Sequence, residues 1–185
     1  MKRLILLLAI ILPCLSFAQG QQASIKIGGG YAHDFPGLNG SVVFGEYNKS
    51  LLSNLQIGVG GKWSNLQGFP RTDEVKEFTK AVGLDFNIYF VPVNTESQQF
   101  RAGVGYSFSF YQIRRAYPIV VNNGTTPEIK WPIQDNKGRI SGLSLFADYE
   151  YLLPNTNFSL GIRGSYYKGY DYITSIGMFV GFRIP

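Results

Sequence analysis

The chain has 185 residues, of which 22 are glycine and 15% are aromatic, and its formal net charge is +5. The length fits one domain. The 17 basic residues outnumber the 12 acidic ones only slightly, and the basic residues are spread along the chain. This excess of positive charge is too small to indicate nucleic-acid binding. With a single cysteine, the chain cannot form an internal disulfide.

The chain begins with the features of a secretory signal peptide. Lys2 and Arg3 give a basic start, and an apolar run follows from Leu4 to Leu12. This run is shorter than the roughly 20 residues that a membrane-spanning helix needs. We therefore predict a cleaved signal peptide at residues 1–18 and a mature domain at residues 19–185.

Cleavage there would leave a mature chain with no cysteine and a smaller charge. Without Lys2 and Arg3, 15 basic residues face 12 acidic ones, so the formal charge falls from +5 to +3. The alternative is a lipoprotein signal with the lipid on Cys14. This alternative is disfavoured because Pro13 precedes the cysteine, where a small residue is typical.

Apolar and polar residues alternate in eight segments of the predicted mature chain. A period of two indicates a β-strand, because successive side chains point to opposite faces. Each segment has roughly the length of a tilted strand that crosses a membrane. The predicted strands are Ser24–His33, Gly40–Lys49, Leu55–Ser64, Lys80–Val91, Phe100–Gln112, Arg139–Tyr151, Asn157–Lys168 and Tyr172–Ile184.

At one end of the predicted strands the connections are short, and at the other end two of them are long. The long ones are Asn65–Thr79 and Ile113–Gly138, whereas Asp34–Asn39 and Gly169–Asp171 are brief exceptions on the same side. This asymmetry is typical of outer-membrane barrels. Asn123-Gly124 is a hairpin signal, so we expect paired strands around it, beyond the membrane.

The less apolar face of the strands indicates which side meets lipid. Glycine weakens a strand, so a soluble protein gains nothing by exposing many glycines on its strands. A narrow barrel lumen, in contrast, has room only for small side chains at most positions. We therefore place the apolar face outside, and a soluble lipocalin-like barrel is the structural alternative. The glycines expected in the lumen are Gly28, Gly30, Gly58, Gly60, Gly83, Gly103, Gly105, Gly142, Gly161, Gly177 and Gly181.

The same inward face carries nearly balanced charges, which we interpret as a structural ionic network. Buried charges need partners, so we expect Arg101 near Asp148 or Glu150, and Lys26 near Glu46 and Arg183. We favour a plug over an ion path, because eight strands enclose little more than their own side chains. The full predicted set is Lys26, Glu46, Lys62, Asp85, Arg101, Asp148, Glu150, Arg163 and Arg183.

The outward faces have aliphatic residues in the middle and aromatic residues at the ends, as two membrane interfaces require. The second strand is the exception, because Val42, Val43 and Phe44 interrupt the alternation. There we predict a β-bulge, with Glu46 inward and Tyr47 outward.

These features together resemble those of the small outer-membrane β-barrel proteins of Gram-negative bacteria, of the porin-like or OmpX type. The resemblance covers nearly all of the mature chain, through eight amphipathic strands, glycine-rich inner faces and the closing I-G-M-F-V-G-F-R-I-P. It implies an all-β, eight-stranded antiparallel up-and-down transmembrane barrel. In that family the last strand usually ends in an aromatic residue that the barrel-assembly machinery reads. Here Ile184-Pro185 takes that place.

The sequence contains no convincing catalytic, cofactor or metal site. His33, the only histidine, stands beside Asp34, and we interpret it as a polar residue at the barrel rim. Some similar barrels are enzymes that modify lipid A, and one such deacylase carries His-x-Ser on a strand. Here Asp34-Phe35 follows the histidine, so we predict no enzyme activity, no cofactor and no metal.

We therefore predict a non-enzymatic, monomeric protein of the outer membrane whose longest loop is a binding or adhesion surface. The loop residues that carry this prediction are Tyr117, Ile119, Val120 and Trp131. The alternatives are a narrow pore and, less favoured, a lipid A-modifying enzyme.

The expected partners are outer-membrane lipids and lipopolysaccharide, the barrel-assembly machinery and an unidentified surface ligand. Lys80, Arg139 and Lys168 near the long-loop mouth are candidates for contacts with lipopolysaccharide phosphates.

Overall fold

The computed structural model describes residues 22–35, 37–68, 76–122, 127–169 and 172–184. The predicted signal peptide and the Asn123-Gly124 turn lie outside the described residues. Among the described residues, no helix is long and apolar enough to cross a membrane. The strands are β1 Ala23–Asp34, β2 Asn39–Leu52, β3 Leu55–Gln67, β4 Phe78–Asn94, β5 Gln98–Ala116, β6 Ile119–Asn122, β7 Pro127–Lys130, β8 Ile133–Leu152, β9 Phe158–Lys168 and β10 Tyr172–Ile184.

Eight of these strands form a closed antiparallel barrel. Each of β1, β2, β3, β4, β5, β8, β9 and β10 pairs with the next, and β10 returns to pair with β1. Each predicted strand lies within an observed barrel strand, except that β9 begins at Phe158 rather than Asn157. The predicted eight-stranded up-and-down barrel is therefore confirmed.

The pairing register determines the tilt of the strands. A path that starts at Ser24 and moves from each residue to its partner on the next strand goes once around the barrel. It returns to β1 at Asp34, ten residues from its start. For eight strands, this stagger gives a tilt of about 40° to the barrel axis. The path is Ser24, Asn48, Gly58, Asn87, Gly105, Ser144, Tyr167, Ile173 and Asp34.

Strands β5 and β8 extend beyond the rest of the barrel as a raised hairpin. They pair up to Ala116 and Ile133, whereas the pairing of β8 with β9 begins only at Leu143 and Lys168. Above them, β6 and β7 form a separate two-stranded sheet on either side of the Asn123-Gly124 position. The prediction of paired strands around that position is confirmed.

The alternation of exposed and buried residues follows the predicted faces, but the predicted bulge in β2 is wrong. The pairing of β2 with β1 and β3 continues without a shift past Phe44, and the only break in the described β2–β3 pairing lies between Ser50 and Leu52. Phe44 points into the lumen, where its ring centroid is 6.5 Å from that of Phe179. An aromatic ring in the lumen, rather than an extra residue, explains the interrupted pattern.

The outer wall of the barrel is apolar and exposed along its whole circumference. A soluble monomer rarely exposes so large a continuous apolar surface, whereas lipid covers such a wall in a membrane barrel. Residues of this wall include Ile27, Val59, Leu84, Ile88, Val104, Leu145, Ile162, Met178 and Val180.

Candidate functional site

The lumen contains a buried ionic cluster of Glu46, Arg101, Asp148 and Arg163, which we call the central cluster. Arg101 donates from Nε to Asp148 Oδ2 and from Nη2 to Glu46 Oε1, both at 2.8 Å, and its Nη2 lies 2.6 Å from Asp148 Oδ2. Arg163 binds Asp148 with two parallel hydrogen bonds of 2.8 Å, from Nε and Nη2. A further contact of 3.0 Å joins Arg163 Nη2 to Glu46 Oε1. Two positive and two negative groups therefore neutralise one another.

Neutral side chains complete the hydrogen bonding of this cluster. Tyr89 Oη donates to Glu46 Oε2 at 2.6 Å, and Asn87 Nδ2 donates to the same oxygen at 2.8 Å. Asn48 Oδ1 accepts from Arg101 Nη1 at 2.8 Å, and the Arg101 guanidinium lies 3.9 Å from the centroid of the Tyr89 ring. These neutral members were not predicted from the sequence, although the period of two places each of them on the inward face.

Lys26 and Glu150 form a second buried ion pair beside the central cluster. Ser159 Oγ donates to Glu150 at 2.6 Å, and the Lys26 amine lies 4.7 Å from the centroid of the Phe179 ring. Lys26 is the register partner of Glu46, as expected, but its amine binds Glu150. Arg183 lines a small cavity with Glu150 and forms no ion pair with any described residue.

A third pair, Lys62 and Asp85, lies towards the long-loop end of the lumen. Lys62 Nζ is 2.9 Å from Asp85 Oδ1 and donates to Ser107 Oγ at 2.8 Å, and Ser107 also bonds Asp85. The cavity that adjoins this pair and Arg163 has a volume of only about 30 Å³. Such a space holds one or two water molecules and is too small for an organic ligand.

The long-loop end of the lumen is closed by contacts that were not predicted from the sequence. Asp34 and Arg115 form a buried ion pair of 2.8 Å. Ala32, Leu38 and Leu66 pack into a small apolar core below the rim. The prediction for β5 ended at Gln112, but continuing its period of two would have placed Arg115 inward.

His33 lies on the outer face of the barrel, and its neighbour Asp34 lies in the lumen. The His33 Nδ1 atom is 2.8 Å from the Asn39 side-chain oxygen. Because adjacent strand residues face opposite sides, Asp34 cannot orient the imidazole as a catalytic base requires. Within the described ranges, no group of three or more His, Cys, Asp or Glu side chains is placed to hold a metal ion.

The predicted loop residues lie at the top of the raised hairpin. Tyr117, Ile119 and Val120 are exposed, and Trp131 is half-buried. Tyr117 also ties the two sides of the hairpin together, because its backbone N–H donates to the Pro132 carbonyl at 3.2 Å. The structure thus brings these four residues to one end of the molecule, away from the ionic network in the lumen.

No protein-family model and no curated protein sequence matches the chain. Solved structures do match it. A major outer membrane protein from Thermus thermophilus is 14% identical, with 90% of this chain and 100% of that chain covered and a TM-score of 0.54. Neisserial surface protein A is 13% identical, with coverages of 89% and 97% and a TM-score of 0.53.

Ail, the attachment invasion locus protein of Yersinia pestis, is also 13% identical, with coverages of 90% and 100% and a TM-score of 0.51. The three matched proteins share one architecture with this chain, over nearly its whole length. The chain therefore has the fold of the small eight-stranded outer-membrane β-barrels.

Proposed function

We propose that this protein is a non-enzymatic, monomeric barrel of the outer membrane whose raised hairpin binds a partner at the cell surface. The observation that carries the proposal is the contrast between a filled lumen and an exposed hairpin. Barrel-assembly machinery would insert it, reading the last strand near Phe182, the outward aromatic residue closest to its end. His33 and Asp34 point to opposite faces of β1, and this geometry supports a role without catalysis.

The contents of the lumen support a plug rather than a pore. Arg101, Asp148 and Glu46 are almost completely shielded from solvent, and each is held by several partners. An ion that passed through would have to break these pairs, at the cost of leaving buried charges unpaired.

We therefore expect the protein to conduct no ions. Full-length protein reconstituted in planar bilayers should show no single-channel steps above the background of empty vesicles. Glu96→Gln, in the exposed turn between β4 and β5, serves as a folded variant with an intact lumen and should be equally silent. Regular, reproducible steps from the wild-type protein would contradict the plug and favour the narrow pore.

The raised hairpin has two features suited to binding. Its upper part exposes apolar side chains, among them Ile119, Val120 and Ile129. Below them, residues 133–142 of β8 pair with β5 on one side and, among the described residues, with no strand on the other. An open strand edge offers backbone groups to a partner strand, and apolar side chains add contact area. In a structure similar to this one, Ail is in complex with the heparin analogue sucrose octasulfate.

Removing the top of the hairpin tests this proposal. Ala116 pairs directly with Ile133, so an Asn-Gly turn that replaces residues 117–132 should close a shortened hairpin without disturbing the barrel. Bacteria displaying the wild type should adhere to wells coated with extracellular-matrix protein about tenfold more than cells without it, because an open strand edge and apolar side chains suit a polypeptide partner and display is multivalent. The shortened variant should fall to the level of cells without the protein.

Gel mobility of unheated against heated samples provides the control for folding in this experiment. A second variant, Ile119→Ser with Val120→Ser and Ile129→Ser, keeps the chain length and should also reduce adherence. If the folded, shortened variant adheres as well as the wild type, or if the wild type adheres no better than cells without it, the binding role is wrong.

A further inference from the structure

Among the outward-facing cations near the upper edge of the apolar wall, Lys80 and Arg139 lie at a similar height. Ten residues separate Phe90 from Lys80 along β4, and ten separate Tyr149 from Arg139 along β8. At about 3.3 Å per residue and a tilt of about 40°, ten residues rise about 25 Å, the height of the apolar band of such barrels. Lys80 and Arg139 are therefore at the level of the lipid headgroups when the aromatic residues are at the opposite interface.

The two cations flank an aromatic residue on the strand between them. Phe110 on β5 is the register partner of Arg139, and its ring centroid is 5.3 Å from the Arg139 guanidinium. On the other side, Phe110 pairs with Val82, two residues below Lys80. Because β4 and β8 are two strand spacings apart and Lys80 is offset by two residues from the row of Arg139, about 12 Å separates the two cationic positions across the wall.

A surface groove lies on the outer wall across β3, β4 and β5, beside the Lys80 side chain. Trp63, Val82 and Phe110 line it together with Lys80, and its volume is about 250 Å³. The groove combines an apolar floor with a cation at its upper edge. This is the arrangement that an amphiphilic lipid requires, because its acyl chain and its charged headgroup need different surroundings.

Neither cation forms an ion pair with a described carboxylate. Within the described parts of the chain, Lys80 and Arg139 have no carboxylate oxygen within 4.0 Å, and the nearby Asp135 is engaged by Arg114 at 2.5 Å. Both side chains are exposed and stay on the outer face. The pair therefore presents two positive charges, one at the edge of the apolar groove and one over the Phe110 ring, which are complementary to an anionic lipid.

We propose that Lys80 and Arg139 hold the two phosphates of a bisphosphorylated glycolipid of the outer leaflet, with an acyl chain against Trp63 and Phe110. A lipid with one phosphate would engage one cation at a time, because the Phe110 ring separates them. This inference rests on the proposed location in the outer membrane, with the long loops outside.

The test measures the affinity of the refolded full-length protein for bisphosphoryl lipid A by native mass spectrometry. A cation near a membrane surface contributes about fivefold in affinity, so Lys80→Gln with Arg139→Gln should weaken binding about 25-fold. The wild type should also prefer bisphosphoryl over monophosphoryl lipid A about fivefold. The double variant should lose this preference.

Two further variants make the test specific to these positions. Lys76→Gln with Lys130→Gln removes the same charge from exposed lysines outside the wall and should leave the affinity unchanged. Lys80→Arg with Arg139→Lys keeps both charges and should retain binding. Equal weakening by the Lys76 and Lys130 variant, or equal wild-type affinity for monophosphoryl lipid A or phosphatidylglycerol, would overturn the site.

Cell fractionation separates the failure of this inference from the failure of the proposed function. Protein in the outer-membrane fraction that shows heat-dependent gel mobility but no lipid preference would refute the lipid site alone. Protein absent from that fraction would refute the proposed location, and the lipid site with it.

Discussion

Glu46→Gln is expected to lower the free energy of unfolding by roughly 3–5 kcal/mol, the usual cost of removing one partner from a buried ion pair. The amide is nearly isosteric, so packing is preserved, but its nitrogen cannot accept from Arg101 or Arg163. Two guanidinium groups would then share Asp148 as their only carboxylate in the central cluster. Urea titration in lipid vesicles, followed by tryptophan fluorescence, measures the change.

Glu96→Gln removes the same charge from an exposed turn and should change stability by less than about 0.5 kcal/mol. A second comparison adds Arg163→Gln to Glu46→Gln. Because both changes remove members of one network, the double variant should be more stable than the sum of the two single effects predicts. A loss of less than about 1 kcal/mol for Glu46→Gln would show that the central cluster contributes little to stability.

Val104→Arg is expected to destabilise the membrane-embedded barrel by about 2–4 kcal/mol. Val104 is exposed on the outer wall, four residues from Phe100 and six from Phe110, so it lies near the middle of the apolar band. An arginine there must leave water for hydrocarbon or distort the bilayer around it. The same urea titration in vesicles gives the change in unfolding free energy.

Gln112→Arg provides a control for depth, because Gln112 lies on the same strand and face at the upper rim. It should cost no more than about 1 kcal/mol, as charges near the interface do. Equal effects at the two positions, or no effect at Val104, would contradict the assignment of this face to lipid and favour the soluble lipocalin-like alternative.

The strands and their faces were predictable because a period of two fixes which side each residue occupies. That rule places Gly103 and Arg101 in the lumen from the sequence alone. It failed locally at Phe44, where an apolar residue faces inward and the interrupted alternation was interpreted as a bulge. Hydrophobicity assigns a residue to a face only where the inward and outward residues differ in polarity. They do not differ near Phe44, because the lumen there contains aromatic rings.

The partners within the lumen were less predictable than the faces. Lys26 was expected near Glu46, its register neighbour, yet its long side chain crosses the lumen to Glu150. Tyr89 was not expected in the network at all, although it hydrogen-bonds Glu46. In a narrow barrel, side chains from opposite walls meet, so pairing depends on side-chain length and rotamer as well as on strand neighbourhood.

The connectivity of the buried ion pairs has a consequence for how the chain folds. Lys26 and Glu46, on the first two strands, bind Glu150 and Arg163, which are 124 and 117 residues further along. These ion pairs form only when the first two strands and β8 and β9 are all in the barrel. A partly formed barrel would therefore leave charges unpaired. Contacts of such long sequence separation slow folding. Insertion of this barrel should therefore be slow and concerted, with the electrostatic gain realised in its last step.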